Sequence, residues 1–174
     1  MKNYHKIYWS DYPLSDKSLK QLINQNPHHR SHIVEITSQT ISNQWIDQDT
    51  IDFFIKAFQT PDQNFLLVLK NLSTRDYFEV FYDFHNLLDQ DDQGWSEYDQ
   101  RMSHRDFHKQ LLLNKIDANH FKLPPNLQII ATYNNNDHHR LPTSAYRRWY
   151  HYPVDLELAK EQKSNHKGAR PIKN

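Results

Sequence analysis

The chain has no cysteine, which excludes disulfides, thiolate metal sites and a cysteine nucleophile. It has only two glycines, Gly94 and Gly168, among 174 residues. A glycine-rich loop whose backbone amides cradle phosphates is therefore excluded, and nucleotide hydrolysis by that route with it. No apolar run approaches the roughly 20 residues a membrane helix needs. The start, Met1-Lys2-Asn3-Tyr4-His5, leads into no signal-peptide apolar segment. An excess of one charge is missing as well: 21 basic side chains balance 21 acidic ones, whereas a dedicated nucleic-acid binder carries a basic surplus. Together these absences lead us to expect a cytoplasmic protein without membrane contact.

What is present is aromatic and unevenly charged. Nine Phe, ten Tyr and four Trp supply the apolar bulk of a packed globule, and the length suits a single domain. Residues 76–100 hold eight acids and no Lys or Arg, whereas residues 138–174 hold eight Lys or Arg against three acids. Such segments are solvated faces or complementary surfaces for a partner or a second copy.

Periodicity predicts alternating strands and helices. Strands are expected at Tyr4–Trp9, with Ile7 and Trp9 facing opposite to Tyr8, and at His32–Thr37, Phe65–Leu69, Leu127–Thr132 and Tyr150–Val154. The run FLLVL is apolar throughout, as strands covered on both faces are, and LQIIAT reads as a second strand of this buried type. Helices are expected at Asp16–Asn24, Asp47–Phe58, Thr74–Asp89, His104–Asn114 and Thr143–Trp149. In Thr74–Asp89 the residues Phe78, Phe81, Phe84, Leu87 and Leu88 keep helical spacing. The expected fold is a three-layer α/β sandwich around a mainly parallel five-stranded sheet, in which loops at the carboxyl ends of strands build sites. Those loops are Ser10–Ser18, Lys70–Thr74 and Tyr133–Leu141.

The segment Leu123–Pro153, LPPNLQIIATYNNNDHHRLPTSAYRRWYHYP, resembles the second half of AAA+ ATPase cores of the MoxR and McrB-like branches. Thr132, Asn134, Leu141-Pro142 and Arg148-Trp149 match its strand, sensor asparagine, loop and short helix. The resemblance extends over Tyr4–Val154 and implies a P-loop NTPase-like fold. In that register FLLVLKN stands where four apolar residues and Asp-Glu form the Walker B element. Lys70 and Asn71 replace the two carboxylates, and a lysine puts positive charge where magnesium needs negative charge. The Walker A place, G-x-x-x-x-G-K-[ST], is held by Asp11-Tyr-Pro-Leu-Ser-Asp16-Lys17-Ser18. Lysine and serine are kept, both glycines are aspartate, and the two carboxylates repel phosphate. The residues after Leu156 are too few for the helical lid that follows such cores, so a core without the lid is expected.

The resemblance places Arg147 and Arg148 where the family carries an arginine finger; the alternative is a surface pair at a helix end. Asn134 matches the sensor, but Asn134-Asn135-Asn136-Asp137 also reads as a turn, which is favoured here because no Walker B acids remain to be sensed. His104 and His108 lie one helical turn apart without a third ligand, and His28-His29 and His138-His139 read as surface pairs. Asp89, Asp91 and Asp92 lack EF-hand spacing, and no G-x-S-x-G elbow is present. Tyr146–Tyr152 interleaves basic and aromatic residues as single-strand binders do.

The expectation is a degenerate AAA+-like core over residues 1–155 and a partly disordered, basic polar tail over 156–174. It lacks catalytic and metal residues and needs no cofactor. It acts as a protein-interaction module, docking on an active AAA+ ATPase or on itself. One alternative is weak Mg-ATP binding or slow hydrolysis through Lys17 and Ser18. The other is a nucleic-acid accessory role in replication, phage or restriction systems.

Overall fold

The FLLVL and LQIIAT segments lie side by side within a five-stranded, all-parallel sheet in the computed structural model. It describes residues 3–37, 45–72, 77–99, 105–117, 120–135 and 141–159. In chain order the elements are β1 (Lys6–Ser10), α1 (Asp16–Asn24), β2 (Arg30–Glu35), α2 (Gln48–Gln59), β3 (Phe65–Lys70) and α3 (Tyr77–Phe81). A 3-10 helix (Tyr82–Leu88), α4 (Arg105–Leu113), β4 (Leu127–Asn134), α5 (Thr143–Arg148) and β5 (Tyr150–Pro153) follow. The sheet order is β2-β3-β4-β1-β5.

That order dictates the layers. The connection from β1 to β2 runs across the sheet in one direction, and every later connection runs in the other. Right-handed crossovers then put α1 on one face and α2 to α5 on the opposite face. Side chains of β3 and β4 alternate accordingly. Leu66, Val68 and Ile130 pack with Leu19, Leu22 and Ile23 of α1. Phe65, Leu67, Leu69, Leu127, Ile129 and Ala131 pack with Phe54, Phe81, Phe107 and Trp149 on the other side. Both faces are covered, and this is why the FLLVL run is apolar throughout, while Gln128 and Thr132 of β4 are buried with hydrogen-bond partners.

Helix starts follow local chemistry. Asp47 caps α2 by accepting from the Thr50 amide at 2.9 Å, and Ser15 caps α1 in the same way through Ser18. The expected helix Thr74–Asp89 is different in the structure: its first residues, 74–76, lie outside the described set, and after Phe81 it tightens to 3-10 geometry. Phe81, Phe84 and Leu87, three apart, then fall on one line and are buried. Phe78, on the outer side of α3, is exposed and packs against Tyr77 and His85. The second strand runs Arg30–Glu35 rather than His32–Thr37, because it pairs in register from Arg30↔Phe65 to Glu35↔Lys70 at the sheet edge. Residues 154–159 are helical and Val154 is buried with α1; the rest of the tail, 160–174, lies outside the described residues.

Candidate functional site

Because β1 lies between β4 and β5, the connections leaving β1 and β4 depart to opposite faces, and a crevice opens at their carboxyl ends. A cavity of about 290 Å³ occupies it. The loop after β1 contributes Ser10, Tyr12, Pro13 and Leu14, the end of β3 contributes Asn71 and Leu72, and β4 contributes Thr132, Tyr133 and Asn134. The structure thus brings together the three loops that the sequence singles out.

Their chemistry is self-satisfied. Ser10 Oγ donates to the Tyr12 carbonyl at 2.6 Å, and Pro13 restricts Tyr12 to extended backbone. Leu14 packs into the α1-side core, while Tyr12 is exposed and its hydroxyl donates to the Asp155 carboxylate. That partner raises the Tyr12 pKa. At the start of α1 the Ser18 amide donates to Ser15 Oγ at 3.1 Å, and the two hydroxyls meet at 3.1 Å. Amides at a helix start are the donors a bound phosphate needs. One of them is already used here, and the first turn carries its own anion, Asp16.

Lys70 reaches across from β3 to this anion, with Nζ 3.5 Å from Asp16 Oδ1. The first residue of α1 and the last residue of β3 therefore form an ion pair. Asn71 has φ 60°, a left-handed conformation that asparagine tolerates better than most residues. Its amide donates to Thr132 Oγ1 at 3.1 Å, and the Leu72 amide donates to the Thr132 carbonyl at 2.7 Å. The end of β3 is thus a turn sewn onto β4. Asn135 donates to Asp11 at 3.4 Å, tying the β4 loop to the first loop. Asn134 is half-buried in the cavity wall opposite Ser10, its register partner. Lys17 is exposed and makes no ion pair among the described residues.

Arg147 and Arg148 do not join this group. They end α5 at the amino end of the sheet. Arg148 is bound within its own chain: Nε meets Asp89 Oδ2 at 3.1 Å, Nη2 meets Asn86 at 3.2 Å and Nη1 meets the Ser144 carbonyl at 3.3 Å. Arg147 is exposed. Close by, burial and the two guanidinium charges push the His85 imidazole down to about 4. His5, fully buried between β4 and Trp149, is also held near 4 by desolvation and accepts the Ile129 amide on Nδ1 at 3.0 Å.

Asp91 accepts the Gln93 and Trp95 amides, and Gly94, with φ 91°, completes that turn. The acids there shape a loop. His28 contacts the Asn26 carbonyl and His29 accepts the Asn64 amide. His104, His138 and His139 lie outside the described residues. Among the described residues no group of three or more His, Asp or Glu is arranged to hold a metal ion, and no helix is long and apolar enough to cross a membrane. Ser10, Tyr12 and Tyr133 lie in the loops that the sequence singles out, whereas sequence reasoning missed Asp155. The Ser15 cap was legible as a serine directly before a helix.

The fold defines a parallel α/β sandwich of the P-loop-like kind with a closed loop at its switch point. No known protein family matches the chain. It is 35% identical over 119 residues to the component YdiS of the type II restriction enzyme BsuMI of Bacillus subtilis (strain 168). The match covers 67% of this chain and 34% of that protein, so the chain spans about a third of the length of that relative.

Proposed function

We propose that this chain is a catalytically silent AAA+-like core that works as a protein-interaction module within an assembly of the restriction type. It docks there on an active AAA+ ATPase or on a second copy of itself. The Lys70–Asp16 pair at 3.5 Å carries the reading. It places a cation where the metal-binding carboxylate would stand and an anion where the phosphate loop would turn. Two further features support it. The order β3-β4-β1 makes the three loops neighbours, as the resemblance requires, and the curated relative is by its name one component of a restriction enzyme.

Titration calorimetry with Mg-ATP tests the silent core. No binding at millimolar nucleotide is expected; measurable heat that Lys17→Ala abolishes would overturn that part and favour the weak nucleotide binder. Docking is tested by light scattering at low and high salt. Association that weakens with salt is expected, since the acidic and basic segments complement each other. A strict monomer at both salts, with no complex on mixing with an active AAA+ subunit of a restriction system, overturns the docking role.

A further inference from the structure

A second cavity, of about 450 Å³, lies at the amino end of the sheet, where the chain enters β1 and β5 side by side. Tyr4 and Tyr150 form one wall with ring centroids 4.7 Å apart and planes at 49°. Tyr98, carried by the loop beyond the Asp91 turn, stands on the cleft as well. The three rings are 42%, 50% and 47% exposed. Single exposed aromatics are ordinary on protein surfaces, but here three half-exposed rings line one cleft. Arg148, locked onto Asp89, lies in the lining as a fixed polar group. Arg147 and Glu97 also line it, and neither makes an ion pair among the described residues.

These groups restrict the chemistry of a ligand. Tyrosine faces favour a planar partner. A lining with two guanidiniums, two carboxylates and three hydroxyls disfavours an apolar side chain, because its polar groups would be desolvated without partners. Arg147 suits one phosphate, and the Glu97 carboxylate suits an exocyclic amine, as acidic side chains do when they accept from cytosine N4. A base held in a duplex stack cannot enter such a cleft, whereas an unstacked one can. The volume falls within the roughly 300–1,000 Å³ typical of ligand clefts.

We propose that this cleft binds one unstacked, amino-bearing nucleobase of a single-stranded nucleic acid. The base lies against Tyr150, Tyr4 and Tyr98, its amine meets Glu97, and the adjoining phosphate meets Arg147. The site is independent of the cavity at the other end of the sheet and of the docking role proposed above.

Fluorescence anisotropy of the full chain with labelled 12-nucleotide oligo-dC and oligo-dT tests it. Oligo-dC is expected to bind, and oligo-dT, which lacks the exocyclic amine, to bind at least about 5-fold more weakly. Tyr150→Ala and, separately, the loop variant Tyr98→Ala should each weaken oligo-dC by at least about 5-fold, while Tyr150→Phe keeps the stack and the affinity. With a single phosphate contact, affinity should fall only about 3-fold between 50 and 200 mM salt, and Arg147→Ala should remove most of that slope. Absence of binding, equal binding of the two oligomers, or binding that Tyr98→Ala and Arg147→Ala leave unchanged each overturns the proposal. A steep salt dependence does so too, since it would place the contact on the many cations of residues 156–174.

Discussion

At the carboxyl end of the sheet Lys70 and Asp16 approach to 3.5 Å with side chains 21% and 96% exposed. At the amino end Arg148 and Asp89 approach to 3.1 Å with side chains 7% and 16% exposed. Both are ion pairs between elements far apart in the chain, yet their surroundings give them different work. Water screens the first, so it contributes little to stability; under the proposed function its part is to fill charge positions that a metal and a phosphate would need. The second is a forked guanidinium that also reaches the exposed Asn86, and without it Asp89 would be left half-buried, so it fastens α5 to the end of the 3-10 helix. The carboxyl end carries a smaller cavity walled by loops that hydrogen-bond to one another, while the amino end carries the larger aromatic cleft.

The comparison assumes that both ends hang from one core, and the largest predicted effect tests this. Leu67 is fully buried at the centre of β3. Leu67→Ala should cost about 2–5 kcal/mol in urea unfolding and disturb both ends together; a loss below about 1 kcal/mol would place the core elsewhere.

Acid should act mainly from the amino end. His5 is neutral in the fold with its pKa near 4, and the unfolded chain takes up that proton near the ordinary value of 6.5. The unfolded state therefore binds more protons between these values. The stability is fully present above about pH 6.5 and is lost as pH falls towards 4, by up to about 3 kcal/mol for His5. His85, also near 4, adds to the same window. Urea midpoints at pH 7, 5.5 and 4.5 measure the loss, and His5→Gln, whose amide oxygen can still accept the Ile129 N–H, should flatten part of it. A midpoint unchanged down to pH 4.5 refutes the assignment.

Arg148→Ala should cost about 1–3 kcal/mol, because Asp89 and Asn86 lose their partner. Arg148→Lys should recover little of this, since lysine lacks the fork. Smallest of all, Lys70→Ala or Asp16→Ala should cost less than about 1 kcal/mol, with the difference shrinking in 0.5 M salt. If Lys70→Ala costs as much as Arg148→Ala, the contrast between the two ends fails.

Much of this fold is legible in the sequence. FLLVL and LQIIAT announce strands covered on both sides, and the helix expected at Asp16–Asn24 has those bounds in the structure. The tightening after Phe81 was hidden, because residues three apart fit a 3-10 turn and an α-helix face almost equally well. At the carboxyl-end cavity the loops were legible from strand ends alone, but their closure was not. Tyr12 reaches Asp155 across 143 positions, and no local pattern encodes that contact. The same holds for Tyr98 lining one cleft with the Tyr4–Tyr150 pair.

By itself the sequence determined burial, element type and one chemical exclusion: two glycines and no cysteine leave neither a phosphate loop nor thiolate chemistry. These follow from residue type and short-range periodicity, which act within a few positions. Only the tertiary structure decided that Lys70 meets Asp16, that Arg148 is bound to Asp89 across 59 positions, and that three tyrosines share a cleft. The strand order β2-β3-β4-β1-β5 and the handedness of its crossovers bring those side chains together, and both are properties of the packed sheet rather than of any segment.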